Sequence, residues 1–133
     1  GADAMGAADR FDTRHSDAFA ALEGLAEEGA QFELAIADPP AFAPSRSALD
    51  RGLRAYERVA RLTAPLVTPG GVLILCSCSH AADLSKFRAA CLRGIGRAGR
   101  APRLLHTGFA GPDHPVHPAH SETGNLKMLA FRL

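Results

Sequence analysis

Two short apolar segments most constrain what this chain can fold into. Each ends abruptly at residues with reactive or conformationally rigid side chains. The first, 32–37, runs into Asp38, two prolines and Phe42, and the second, 72–77, runs into Cys78. Apolar segments of this length are typical of strands buried on both faces of a parallel sheet. The carboxyl ends of such strands meet at one edge, and ligands bind in the crevice beyond it. The pattern therefore predicts a site where the Asp38 carboxylate and the Cys78 thiol lie close together.

The surrounding segments predict an α/β domain. Periodicity and turn residues predict helices over 18–28, 47–66 and 83–95, strands over 32–37, 72–77, 102–109 and 126–133, a loop over 39–45 and a turn at 69–71. Asp17 or Ser16 is the expected cap of the first helix, and Gly29 its end. This order predicts a Rossmann-like sheet, mostly parallel, with a carboxyl-terminal antiparallel hairpin. Residues 1–10 are small and polar, so we expect a linker or frayed end there and one domain over 11–133.

Composition and charge narrow the function classes. No apolar run approaches the ~20 residues needed to cross a bilayer, and no leading segment has the order of a signal peptide. Three cysteines form no disulfide framework, which favours a reducing, cytoplasmic setting. The net charge is −7 over residues 1–38 and +8 over 39–133, and the stretch 86–103 holds six basic residues and no acid. Such a surface can attract phosphates, and an ordinary solvated helix face explains it equally well.

Several motifs in a fixed order resemble one protein family. The motifs are Asp38-Pro39-Pro40-Ala41-Phe42, a helix with arginines and Tyr56, Pro69-Gly70-Gly71, Cys76-Ser77-Cys78-Ser79, Asp113-His114-Pro115-Val116 and Leu126-Lys127. Over residues 11–133 they resemble the class I S-adenosylmethionine-dependent methyltransferases, and within them the bacterial 23S ribosomal RNA 5-methylcytosine methyltransferases of the large-subunit type I group. The resemblance implies S-adenosylmethionine as the cofactor and RNA, ribosomal in that group, as the partner.

The resemblance also implies roles for individual residues. Cys78 matches the family nucleophile, which adds to carbon 6 of cytosine so that carbon 5 can attack a methyl group. Asp38 matches the acid that bonds the edge of the base. The implied cofactor-binding residues are Asp17, which matches an acid at the cofactor adenine, Ala18, Asp38 and Pro39. The implied substrate-binding residues are Pro40, Phe42, Tyr56 and Lys127.

This sequence departs from the family pattern at three places. Ala41 stands where the family has lysine, and His80 where a glycine commonly follows the Ser-Cys-Ser motif. The third departure is the family's glycine-rich cofactor loop, which has no counterpart here. Its absence predicts that the amino-terminal part of the catalytic domain is missing, that this chain alone is inactive, and that segment 32–37 has an unpaired edge. We expect such an edge to give a homodimer or a strand-swapped self-association.

Two other functions stay open from the sequence. An RNA amino-group methyltransferase uses two prolines followed directly by an aromatic residue, whereas Ala41 intervenes here, and a related guanine methyltransferase lacks the Ser-Cys-Ser motif. A non-catalytic RNA-binding remnant would explain the missing cofactor loop directly.

Metal binding is not expected. Cys76, Cys78 and His80 have a spacing that is awkward for one ion on a single strand, and no second pair of ligands stands out. The histidines of the later loop are interpreted as polar loop residues; they are His114, His117 and His120.

Overall fold

The computed structural model describes residues 17–109 and 126–133, which form three helices and four strands. The elements are helices α1 (Ala18–Glu27), α2 (Leu49–Thr63) and α3 (Leu84–Arg97), and strands β1 (Phe32–Ala37), β2 (Val67–Ser77), β3 (Arg103–Phe109) and β4 (Lys127–Arg132). Short 3₁₀ turns at Arg46–Ala48 and Ala64–Leu66 flank α2. Each predicted helix and strand is present. The predicted linker at 1–10 and the motif at 113–116 lie outside the described residues.

Local sequence determines where α1 and α3 begin and where α1 ends. The carboxylate of Asp17 accepts a hydrogen bond from Ala20 N at 3.2 Å, and that of Asp83 accepts one from Lys86 N at 2.9 Å. Each cap satisfies an N–H group that has no partner inside its helix. Gly29 follows α1 with a φ of 72°, a left-handed conformation that glycine adopts without strain. The predicted cap at Asp17 and the predicted end at Gly29 are confirmed.

The four described strands form one sheet in the order β1-β2-β4-β3. β1 and β2 are parallel, whereas β4 is antiparallel to both β2 and β3. The α/β class and the hairpin of β3 and β4 are confirmed. Because β4 lies between β2 and β3, the described sheet is mixed, with one parallel and two antiparallel pairs, and is not mostly parallel as the sequence predicted.

β2 begins at Val67 rather than at the predicted Val72. Phe32 pairs with Val67 and Leu34 pairs with Val72, so β2 has extra residues at this point. Gly70 lies among them with a φ of 84°. The predicted turn is therefore present as a bulge within the strand, where glycine supplies the left-handed backbone.

The core lies between the sheet and the pair of helices α2 and α3. Its largest fully buried side chains are Tyr56, Phe87, Phe131, Leu73, Ile95 and Leu129. The two helices approach so closely that a Cβ atom at Gly94 would lie 2.7 Å from the Ala60 Cβ. On β1, by contrast, Leu34 and Ile36 are 54% and 63% exposed. That face of β1 is therefore largely open in the described part of the chain. No helix within the described ranges combines the length and apolar character needed to cross a bilayer.

Candidate functional site

The carboxyl ends of β1 and β2 bring the two predicted chemical groups to one edge of the sheet. β1 ends at Ala37 and is followed by Asp38, while β2 ends at Ser77 and is followed by Cys78. Because the strands are parallel, both ends face the same edge. β4 runs the other way and begins there with Lys127, which pairs with Ser77. The carboxylate, the thiol and the amine therefore share this edge.

A cleft of about 460 Å³ opens between the start of α1 and the loop after β1. The structure brings together there all the predicted cofactor-binding residues, which are Asp17, Ala18, Asp38 and Pro39. Two predicted substrate-binding residues, Pro40 and Phe42, line the same cleft. The remaining lining is Phe19, Ala21, Leu22, Ile36, Ala37, Val59 and Thr63. Mainly apolar walls with a few polar groups are characteristic of small-molecule sites.

A row of aromatic rings fixes the loop after β1 against the helices. Phe42 stacks on Phe19 of α1 with a centroid distance of 6.3 Å, and meets Tyr56 of α2 edge to face at 5.0 Å. Tyr56 in turn meets Phe87 of α3 edge to face at 5.2 Å. The guanidinium carbon of Arg58 lies 4.2 Å from the centroid of the Phe19 ring. Contacts of these kinds are favourable, so the row holds one wall of the cleft in place.

Tyr56 lies beneath this loop and does not line the cleft. Its side chain is 2% exposed. The Tyr56 Oη accepts hydrogen bonds from Phe42 N at 3.3 Å and from Ser77 Oγ at 3.0 Å, and forms a short hydrogen bond with Ser79 Oγ. The observed position supports the loop from below. Direct contact between Tyr56 and substrate stays a prediction.

Ser77 and Ser79 are functional candidates that the sequence analysis missed. Ser79 Oγ accepts a hydrogen bond from Ala43 N at 2.9 Å, and Ser79 N donates to Ser77 Oγ at 3.2 Å. Both serines are fully buried. Their signal lies in the alternation of residues 76–79, because side chains two apart along a strand share a face. With the cysteines on one face, the serines point to the other, into the core, where a hydroxyl needs a partner.

The three thiols differ in exposure. Cys78 is exposed, Cys76 is half-buried and Cys91 is buried. Burial raises the pKa of Cys76, and the nearby negative charge of Asp38 raises it further. Burial also raises the pKa of Cys91. Since the thiolate is the reactive form of cysteine, these environments disfavour reaction at Cys76 and Cys91. The nucleophile role of Cys78 stays a prediction that its exposure supports.

Lys127 lies under the turn that carries Cys78. Its side chain is 7% exposed, and its Nζ donates a hydrogen bond to Ser79 O at 3.1 Å. Burial lowers the pKa of Lys127, while the charges of Asp83 and Cys78 oppose that shift. The predicted contact between Lys127 and substrate stays a prediction. What the structure adds is a link between β4 and the turn.

A second, more polar cleft of about 400 Å³ lies beside the residues that follow Cys78. It is lined by Arg46, Leu49, His80, Ala81, Asp83 and Lys86. The Asp83 carboxylate accepts hydrogen bonds from Lys86 N and from Lys86 Nζ, the latter at 3.1 Å. These bonds hold the pKa of Asp83 below its usual value. Cationic side chains at such a cleft can bind phosphate oxygens.

Within residues 17–109 and 126–133, no group of three His, Cys, Asp or Glu side chains could hold a metal ion. The three histidines considered from the sequence, His114, His117 and His120, lie outside the described ranges.

No protein-family model matches the chain. It is 35% identical over 119 residues to ribosomal RNA large subunit methyltransferase I of Aeromonas salmonicida, covering 90% of this chain and 30% of that protein. It is 32% identical over 108 residues to MJ1653 of Methanocaldococcus jannaschii, whose name also describes a ribosomal RNA large subunit methyltransferase, covering 81% of this chain and 28% of that protein. The chain thus spans about a third of the length of these relatives.

The crystal structure of SMU.776, named as a methyltransferase and complexed with SAH, matches with a TM-score of 0.72 at 18% identity. The match covers 98% of this chain and 35% of that one. The chain has the fold of the class I S-adenosylmethionine-dependent methyltransferases. The predicted fold class and the broad resemblance are therefore confirmed, whereas the 5-methylcytosine subtype stays a prediction.

Proposed function

We propose that this chain forms part of the active site of an S-adenosylmethionine-dependent enzyme that methylates carbon 5 of a cytosine in ribosomal RNA. The observation that carries the proposal is the meeting of the Asp38 loop and Cys78 at one sheet edge, beside the cleft that Asp17 and Asp38 line. Similarity to two proteins named as ribosomal RNA large subunit methyltransferases supports the substrate class. A ribosomal substrate implies a cytoplasmic protein.

The first cleft has the chemistry to hold the nucleoside part of S-adenosylmethionine. Phe19 and Leu22 offer apolar surface for a purine ring, while the carboxylates of Asp17 and Asp38 can accept hydrogen bonds from amino and hydroxyl groups. Asp17 holds a fixed position because its carboxylate also caps α1. When bound, the cofactor supplies an electrophilic methyl group.

Cys78 starts the proposed reaction. Its thiolate sulfur would form a bond to carbon 6 of a cytosine that has left the base stack, and the electron pair of the 5,6 double bond would move to carbon 5. Carbon 5 would then accept the methyl group that the bound cofactor would supply, with S-adenosylhomocysteine as the leaving group. Asp38 forms a hydrogen bond with the edge of the base and stabilises the protonated ring nitrogen. This proton neutralises the adduct. Loss of the carbon 5 proton to a base then re-forms the double bond, and the sulfur leaves as thiolate.

RNA containing 5-fluorocytosine tests this proposal, because fluorine at carbon 5 cannot leave as a proton and the adduct stays trapped. We expect wild type and Cys76→Ala, in the full-length protein that carries these residues, to form the adduct. Cys78→Ala should form none and should lose methylation by about a thousandfold or more. An adduct that survives Cys78→Ala would refute the nucleophile.

RNA binding without catalysis is the second candidate, and the polar cleft favours it. Arg46 and Lys86 line that cleft beside the turn after Cys78, where they can meet phosphates. The same experiment separates the candidates. RNA retained by wild type with no adduct and no methyl transfer would favour the binding module. Methyl transfer that persists in Cys78→Ala would indicate an amino-group or guanine methyltransferase.

A further inference from the structure

Three buried hydroxyl groups connect the loop after β1 to the turn after β2. The hydroxyls belong to Tyr56, Ser77 and Ser79, and each of these side chains is at most 2% exposed. Phe42 N and Ala43 N, which are consecutive in the chain, donate to Tyr56 Oη and to Ser79 Oγ respectively. We call these three side chains the hydroxyl cluster.

The hydroxyl cluster holds the ends of the segments that carry the two proposed reactive groups. Phe42 closes the loop that starts at Asp38. Ser77 precedes Cys78 and Ser79 follows it, so Cys78 has an anchor on both sides. A further bond runs between the segments themselves, from Ala81 N to Ala43 O at 3.1 Å. Movement of either segment relative to the other would break several buried hydrogen bonds at once.

Packing alone does not account for the Tyr56 hydroxyl. The ring contacts with Phe42 and Phe87 would be available to a phenylalanine. A hydroxyl without a partner in this buried place would cost stability, and its partners are the loop and the turn. Thr63 offers a contrast on the same helix, since its buried hydroxyl donates to Val59 O at 2.8 Å within α2. The Thr63 hydroxyl thus forms hydrogen bonds only within its own helix, whereas the Tyr56 hydroxyl connects separate segments of the chain.

We infer that Tyr56 and Ser79 are positioning residues that hold Cys78 at a fixed distance from the Asp38 loop, so that thiol and carboxylate reach one base together. The connection between the segments stands on the geometry alone. The catalytic consequence rests on the proposed function.

Amide hydrogen exchange tests the connection in this 133-residue chain. Tyr56→Phe removes one acceptor and keeps the ring, and Ser79→Ala removes the other. We expect exchange at Phe42 in the first variant and at Ala43 in the second to rise by on the order of tenfold, the scale of one buried hydrogen bond. The matched control, Thr63→Val, removes a buried hydroxyl from the same helix and should leave both amides unchanged. Unchanged exchange in the two variants would overturn the inference, whatever the enzyme does.

Steady-state kinetics of the full-length protein test the catalytic consequence. Tyr56→Phe should lower kcat by on the order of tenfold and leave the KM for S-adenosylmethionine within about twofold, because the hydroxyl acts on the reactive geometry. An unchanged kcat with raised exchange would show a merely structural cluster and refute the positioning role. If wild type transfers no methyl group, the proposed function fails, and the exchange comparison alone decides the connection.

Discussion

The position of a thiol along β2 decides how easily it can react. Cys76 and Cys78 are two residues apart, so their side chains leave the strand on the same side. Cys76 is still within the strand, where it is half-buried and where the charge of Asp38 opposes its ionisation. Cys78 lies one residue beyond the strand and is exposed. A shift of two positions therefore separates a hindered thiol from an accessible one.

We expect alkylation of the folded chain by N-ethylmaleimide to follow the order Cys78, Cys76, Cys91. Exposure falls in that order, and burial raises the pKa of the last two thiols. Labelling of Cys76 should therefore keep rising with pH above the range where an ordinary thiol, with a pKa of about 8.5, is fully ionised. Peptide mass spectrometry over a pH series would measure each rate. Equal labelling of Cys76 and Cys78 at pH 7 would contradict the prediction.

Asp38→Asn isolates the electrostatic part of this effect. Removing the negative charge should lower the pKa of Cys76 and speed its labelling at neutral pH. The gain should be partial, since burial is the larger cause of the raised pKa. Labelling of buried Cys91 reports whether the fold is intact, because unfolding would expose it.

The close contact of α2 with α3 depends on the absence of a side chain at Gly94. A Cβ atom there would meet Ala60 Cβ at 2.7 Å, whereas a Cβ atom at Gly96 of the same helix would have no neighbour within 4 Å. We expect Gly94→Ala to lower the free energy of unfolding by about 2 kcal/mol through overpacking. Gly96→Ala should raise it by about 0.5 kcal/mol or more, since alanine favours helix. Urea unfolding of both variants measures the contrast, and equal effects would contradict it.

The outer side of β1 is open in the described part of the molecule. β1 pairs only with β2 among the described strands, and Leu34 and Ile36 are largely exposed. An apolar edge of this kind can pair with another chain. We therefore expect the 133-residue chain to self-associate at tens of micromolar, through this edge or by exchange of its leading segment. Sedimentation velocity measures the outcome.

A charged substitution at the open edge of β1, compared with one elsewhere on the surface, tests whether this edge causes the self-association. Ile36→Lys should restore the monomer because it places an ammonium beside the open edge, whereas Leu92→Lys, on the exposed part of α3, should not. A wild-type monomer with protected amides along β1 would show that the edge is covered within one chain.

At the scale of the whole molecule, we expect the given residues to supply only part of the surface that a nucleoside cofactor needs. Before Asp17 the sequence has only Gly1 and Gly6, so it offers no glycine-rich turn that could face the cleft from the opposite side. We expect these 133 residues to bind S-adenosylmethionine more weakly than roughly 100 μM by calorimetry. Asp17→Asn, which keeps a good helix cap without the charge, should weaken any residual binding. Micromolar affinity would contradict this expectation.

Short-range sequence patterns were enough to predict the helices, the strands and the sheet edge at which the candidate site lies. Apolar runs such as 72–77 and the turn residues around them are signals of this kind. The joint placement of Asp38 and Cys78 followed from parallel strands alone. Helical spacing predicts that Tyr56 faces the core, but its hydrogen bonds could not be predicted, because their partners Ser77 and Ser79 are remote in the sequence. The bulge in β2 escaped prediction for a similar reason, since it exists only in the register against β1.

The sheet order has a consequence for synthesis on the ribosome. β3 pairs with β4 and not with β2 among the described strands, although residues 110–126 separate β3 from β4 in the chain. Until Lys127–Arg132 has left the exit tunnel, neither β2 nor β3 has its antiparallel partner among the described strands. β4 therefore joins the open edges of β2 and β3 in one late step of folding. A released chain that lacks residues 127–133 would keep both edges open and would be prone to aggregation, and the turn that carries Cys78 would lack the hydrogen bond from Lys127 to Ser79 O.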